Sequence, residues 1–223
     1  MKYLFVVAHP DDEVLGAGAT IHKLAQQGHR VAVATLVNQA GARAHLSETL
    51  SSDQARAHEI LGVEKNFAGD YPNIRMNTVP HLELVQFVEP AIEEWNAECI
   101  YTHHPSDTNN DHAMTSGAVQ AACRLFQRRE GIAPLRQLVY MEVLSSTEWS
   151  LDSSAHRFIP NLFVEVGEAG LDVKLRALEA YTGVMRPFPH PRSPEAIRGL
   201  AAYRGGQAGC CWAEAFEQVF SRM

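Results

Sequence analysis

The chain has 223 residues, 46% hydrophobic and 20% charged, with a net charge of −7. That balance suits one soluble α/β domain and excludes a general nucleic-acid surface or polybasic membrane docking, both of which need a cationic face. No apolar run reaches bilayer-spanning length, and the four cysteines form no C-x-x-C pair that would suggest a thiolate metal site. Cys99 and Cys123 fall on apolar patterns. Cys210 and Cys211 are adjacent and expected to be reduced, which with the absence of a leader pattern predicts a cytoplasmic setting.

Lys2 to Ala8 is a short apolar run rich in β-formers, the pattern of a strand buried on both faces of a parallel sheet. Pro10 stops it. From Glu13 the period becomes helical, with Val14, Ala17, Ile21, Leu24 and Ala25 on one face. His9, Asp11 and Asp12 therefore lie on a strand-to-helix turn at the carboxyl end of a strand, where open α/β sheets bind ligands. Glu13 fits a helix-start acid. Gly28 is a C-cap, Arg30 to Val37 a second buried strand, and Asn38 to Ser52 a long polar loop with Gly41, Arg43, His45 and Ser47. A helix follows over Asp53 to Leu61, then a short strand over Lys65 to Ala68.

The next helix carries Leu82, Val85, Val88, Ile92 and Trp95, with Pro90 predicted to kink it. Cys99 to Thr102 is a fourth strand. It leads into a second polar concentration, His103 to His112, and another helix. Gln137 to Val143 and Asn161 to Val166 read as strands. Leu171, Leu175 and Leu178 mark a late helix, and four prolines between Arg186 and Pro194 exclude regular structure there. A short helix from Glu195 and a helical segment from Trp212 are expected to finish the chain. Trp149 and Trp212 are expected to be packing residues.

Strand–helix alternation implies a parallel sheet with right-handed crossovers. In a Rossmann-type order 3-2-1-4-5, strands one and four flank the switch point. The loops after them carry His9-Pro10-Asp11-Asp12 and His103 to His112, so the two clusters should meet at one crevice. The expected architecture is a three-layer sandwich forming a single domain. Its Rossmann-like core covers about residues 1–145 and a substrate-side C-terminal extension about residues 146–223.

Two histidines and a carboxylate make a three-ligand metal set with an open position. His9 and His112 supply the imidazoles. Spacing leaves open which of Asp11 and Asp12 is the ligand; the other is placed to take a proton from an attacking water and return it to a leaving amine. Such equipment hydrolyses amides. Gly16-Ala17-Gly18 is no dinucleotide fingerprint, because Ile21 stands where the third glycine belongs, and there is neither a P-loop nor a Gly-x-Ser-x-Gly elbow.

Ala8-His9-Pro10-Asp11-Asp12-Glu13, with Asp107-x-Asn109-x-Asp111-His112, resembles the LmbE-like/PIG-L superfamily of zinc-dependent N-acetylglucosaminyl deacetylases. Arg75-Met76-Asn77-Thr78-Val79-Pro80, Tyr101-Thr102-His103-His104-Pro105 and Pro189-His190-Pro191-Arg192-Ser193 extend the likeness to one bacterial branch. The resemblance implies a Rossmann-like fold, a zinc ion, and removal of acetyl from an N-acetylated sugar. It implies His9, Asp12 and His112 as ligands and Asp11 as general base. In several members a histidine three residues before the last ligand polarises the carbonyl. Here that position is Asn109, so the role is vacant or filled elsewhere, by His104 ahead of His103 or His190. Gly41-Ala42 departs from the family's Gly-Glu.

Candidate substrate contacts are Arg75, Asp107, Asn109, His190 and Arg192. Arg75 could equally pair with Asp70, and His190 and Arg192 could belong to a surface turn. Asp107 and Asp111 could also stand behind ligand imidazoles or cap the next helix. Iron or cobalt suits the same ligand set as zinc. The expected partner is an N-acetyl sugar, free, nucleotide-linked or in a glycoconjugate. Nucleic acid and a membrane span are not expected, and the apolar C-terminal segment is a candidate homo-oligomer interface. The competing readings are a zinc amidase acting on a thiol-sugar conjugate or another amide, and a catalytically silent sugar-binding module.

Overall fold

A computed structural model describes residues 1–37, 50–151 and 156–223. Most of the polar loop expected after the second strand, including Gly41-Ala42, Arg43, His45 and Ser47, lies outside the described residues. The strands are β1 (Lys2–Val7), β2 (Arg30–Thr35), β3 (Lys65–Ala68), β4 (Cys99–His103), β5 (Gln137–Met141), β6 (Leu162–Glu165) and β7 (Ala213–Ser221). The helices are α1 (Asp12–Gln26), α2 (Leu50–Leu61), α3 (His81–Trp95), α4 (Asn110–Ala122), α5 (Gly167–Glu179) and α6 (Pro194–Ala208).

One sheet holds all seven strands in the order β3-β2-β1-β4-β5-β7-β6. The first five pair in parallel, and β7 runs antiparallel to both β5 and β6. Alternation along each strand makes the three layers. Tyr3, Phe5, Val7, Val31, Val33 and Tyr101 face one core, which α1, α2, α5 and α6 cover. Leu4, Val6, Ala32, Ala34 and Ile100 face the other, under α3 and α4. Burial on both faces explains why β1 and β2 read as continuous apolar runs. No helix among the described residues is long and apolar enough to cross a membrane.

Three local expectations need correction. The segment after Trp212 is a strand, not a helix. Ala213-Glu214-Ala215-Phe216-Glu217 has strong helix formers, but pairing between β5 and β6 overrides propensity, and both glutamates are buried. The helix expected to be short, α6, runs for 15 residues. Trp149 is 57% exposed and packs little, whereas Trp212 lies against the core. Pro90 lies within α3 as expected, on the exposed side with Gln86, whose carbonyl loses its usual helical partner.

Helix α1 breaks at Ala17 (φ −150°, ψ 17°). A buried ion pair patches the gap. Lys174 Nζ donates to the Leu15 carbonyl at 2.8 Å and to Glu214 at 2.7 Å. Glu214 in turn accepts the Ala19 and Thr20 N–H groups at 3.2 and 2.7 Å, serving as a cap for the second half of the helix. Strand β7 and helix α5 thus hold the helix whose first turn carries the site.

Candidate metal centre and active site

The register explains why two distant clusters meet. β1 and β4 are neighbours in parallel, with Phe5 opposite Tyr101, so the segments leaving their carboxyl ends open onto the same crevice. His9, Asp11 and Asp12 come from one, His112 from the other. All four line a cavity of about 570 Å³.

Asp12 Oδ2 lies at the centre. It is 3.1 Å from His9 Nδ1 and 3.2 Å from His112 Nε2, and it accepts the His9 N–H at 2.9 Å. Each imidazole has a carboxylate behind its other nitrogen. Asp111 Oδ2 lies 3.1 Å from His9 Nε2, and Asp107 Oδ2 lies 3.1 Å from His112 Nδ1. Those carboxylates are themselves fixed. Asp111 accepts the Ile74 and Met76 N–H groups at 2.6 and 3.0 Å. Asp107 accepts the hydroxyls of Ser146 and Thr147 and the Asn109 N–H.

This donor set fits a divalent ion. Three N/O donors converge from His9, Asp12 and His112, and both rings carry the outer carboxylates that orient metal-bound histidines. The ion-free electrostatics agree. Burial opposes charge on His9 and His112, yet the carboxylates hold them up at about 9 and about 10. Burial also opposes charge on Asp12, but the charged His112 ring keeps its carboxyl well below the usual range.

Asp11 stands apart from this trio. Its φ of 104° is in the left-handed region that a non-glycine residue occupies only under constraint. The constraint is Glu13, whose buried carboxylate accepts the Asp11 N–H at 3.2 Å and is gripped by Tyr181 Oη at 2.5 Å and His58 Nε2 at 3.1 Å. Glu13 is therefore an internal brace rather than a helix-start decoration. Burial pushes the Asp11 carboxyl up to about 7, against the pull of the Arg192 guanidinium. Arg192 Nη1 donates to Asp11 Oδ2 at 3.0 Å, and its Nε donates to Ser145 Oγ at 2.8 Å.

The remaining candidates separate clearly. His190 and Arg192 reach the cavity from the proline-rich loop, and Asn109 lines it while capping α4 through the Asp111 N–H. Arg75 is exposed and outside the lining, although Asn73 and Ile74 beside it line the cavity. Asp107 stands behind His112 and outside the lining. His103 is fully buried, stacked on His112 at 3.8 Å, and its Nε2 accepts the Ala8 N–H at 2.8 Å. Burial pushes it down to about 3, so it stays neutral.

His104 also lies outside the cavity lining, beside Glu217 and His156. Those three form a second cluster of metal-type side chains. However, His104 Nδ1 already accepts the Ser106 N–H, at 3.2 Å, which puts the ring's proton on Nε2 when it is neutral. That nitrogen then has no lone pair to offer an ion, and the cluster reads as an anchor for β7, with His156 on its exposed side.

The sequence reading missed Ser145, Ser146 and Thr147, which follow β5. Their position at the carboxyl end of a parallel strand was the available signal. His58 and Tyr181, the grip on Glu13, carried no such signal.

The sequence profile of PIG-L, GlcNAc-PI de-N-acetylase, matches residues 4–123. The uncharacterized deacetylase YaiS of Escherichia coli K12 is 25% identical over 187 residues, covering 80% of this chain and 89% of that protein. Among solved structures, the N,N'-diacetylchitobiose deacetylase of Pyrococcus horikoshii superposes with a TM-score of 0.78 at 19% identity, covering 98% of this chain and 83% of that one. The 4-carboxy-2-hydroxymuconate hydratase GalB of Pseudomonas putida KT2440 superposes at 0.77 with 20% identity, covering 100% and 98%. At those identities the structures show a shared fold, and the fold alone hosts more than one reaction. The profile covers both halves of the candidate metal site, His9 to Asp12 and His112, and by that match the chain belongs to the PIG-L family of the LmbE-like/PIG-L deacetylase superfamily.

Proposed function

We propose that this protein is a metal-dependent N-deacetylase acting on an N-acetylated amino sugar. The observation that carries the reading is the pairing, in one cavity, of a three-donor set with a separate, constrained carboxylate. His9, Asp12 and His112 would hold the ion, zinc or another divalent transition ion that suits the same donors. When bound, the ion supplies Lewis-acid polarisation of the acetyl carbonyl and lowers the pKa of water.

The chain's own residues do the rest. Asp11 takes the proton of the attacking water at its carboxylate and delivers it to the departing amine, so the C–N bond breaks to give free amine and acetate. Asp111 and Asp107 keep the two imidazoles aimed. Asn73, Asn109 and His190 line the cavity with hydrogen-bonding groups that suit sugar hydroxyls. A silent sugar-binding module is the weaker reading, because sugar binding alone requires neither the donor trio nor the strained Asp11.

The test is Asp11→Asn. Metal content by elemental analysis stays at the wild-type value, while release of free amine from the N-acetyl substrate falls by roughly 10²–10⁴-fold. Undiminished release would remove Asp11 from the chemistry.

A further inference from the structure

We propose that Arg192 is a positioning residue for Asp11: its guanidinium, itself aimed by Ser145, fixes the direction of the carboxylate that receives the proton. The inference rests on Asp11 being the base.

Two parts of Asp11 are held by different means. Its main chain is fixed locally: the N–H is taken by Glu13, and the carbonyl accepts the Val14 and Leu15 N–H groups at 3.1 and 2.8 Å. Its side chain is held from across the fold by Arg192, 181 residues away. Glu13 and Asp12 next to it are acceptors and cannot replace a donor there. Arg192 is fixed in turn on two edges of its planar fork, by Asp11 at Nη1 and Ser145 at Nε. Its main chain is tied into the proline-rich loop, the N–H to His190 Nδ1 at 3.0 Å and the carbonyl to the Arg186 N–H at 3.3 Å. The guanidinium is thus committed to Asp11 and Ser145 before substrate arrives, unlike a side chain kept free for a ligand.

Ser145 supplies an independent sign. It is a non-glycine residue at φ 70°, a costly conformation that persists where the surroundings impose it. Its neighbours Ser146 and Thr147 hold Asp107, which backs His112. One short turn after β5 therefore orients the base through Arg192 and a metal-set imidazole through Asp107. That coupling gives a reason for the strain.

The experiment compares Arg192→Ala, Arg192→Lys, Asp11→Asn and the double variant Asp11→Asn/Arg192→Ala on an N-acetylated sugar the wild type turns over. Metal content is measured for each. Arg192→Ala should lower kcat by roughly 10- to 100-fold with KM changed less than about 3-fold and metal content unchanged. Added guanidinium ion should restore part of that kcat. Arg192→Lys, which keeps the charge and guards against a folding artefact, should fall between Arg192→Ala and wild type. The double variant should be no slower than Asp11→Asn alone. A raised KM with unchanged kcat, or a double variant slower than Asp11→Asn by the full single-mutant factor, would overturn the inference and make Arg192 a substrate contact. Full activity in Asp11→Asn would instead overturn the base assignment, and the positioning role with it.

Discussion

Replacing Glu214 with Gln should destabilise the protein far more than its distance from the cavity suggests. Glu214 and Lys174 have side chains only 6% and 7% exposed, with 2.7 Å between charged atoms. The glutamine keeps one oxygen, so only one of the Ala19 and Thr20 N–H groups retains its acceptor, and the Lys174 ammonium is left buried without a counter-charge. Breaking one side of such a pair costs about 3–5 kcal/mol. For a chain of this length, about 2–4 °C is lost per kcal/mol, so Tm should drop by roughly 6–20 °C. Thermal and urea unfolding measure it. Lys174→Met/Glu214→Gln removes both charges and should lose less than half as much, because no unpaired charge remains. A Glu214→Gln shift below about 2 °C, or a double variant that loses the sum of the singles, would refute the claim that this ion pair patches the α1 break.

Asp107→Asn removes the carboxylate behind His112 and should weaken metal affinity by about 10- to 100-fold in chelator competition; an unchanged affinity would separate Asp107 from the centre. Tyr181→Phe removes the 2.5 Å hydrogen bond to Glu13 and should cost about 1.5–3 kcal/mol in chemical denaturation, with no change expected if Glu13 were solvated. Metal loading should release protons. With ion-free His9 and His112 held up to about 9 and about 10, both rings are protonated at pH 7.5 and must lose that proton to coordinate. Affinity should therefore climb as pH rises toward those values. Calorimetry in buffers of different ionisation enthalpy should show uptake by the buffer of about two protons per ion; a buffer-independent heat would contradict it.

The parallel half of the fold was legible because its strands are buried on both faces and its turns are marked by His9-Pro10 and His103 to His112. The convergence of those two segments followed from strand order alone. The C-terminal third was harder to read. In β7, Glu214 and Glu217 interrupt the apolar pattern, yet each is buried to serve a partner from another element: Lys174 for one, His156 and the Ile159 N–H for the other. Local propensity carries no record of such partners. The same limit hid Tyr181 and His58, whose use is to grip Glu13, and the orientation of His104, whose ring lies beside Glu217 and outside the cavity lining. Arg192 was visible as a cation in a stiff loop, but only the fold shows that it meets Asp11.

The most direct test of the central claim is free-amine release from a panel of N-acetylated sugars, nucleotide sugars and glycoconjugates, run as purified, after chelation, and after metal is restored. The account predicts release from at least one of them, lost on chelation and recovered with zinc or another divalent transition ion. Release that survives complete metal removal, or silence across the panel with one ion bound per chain, would contradict it.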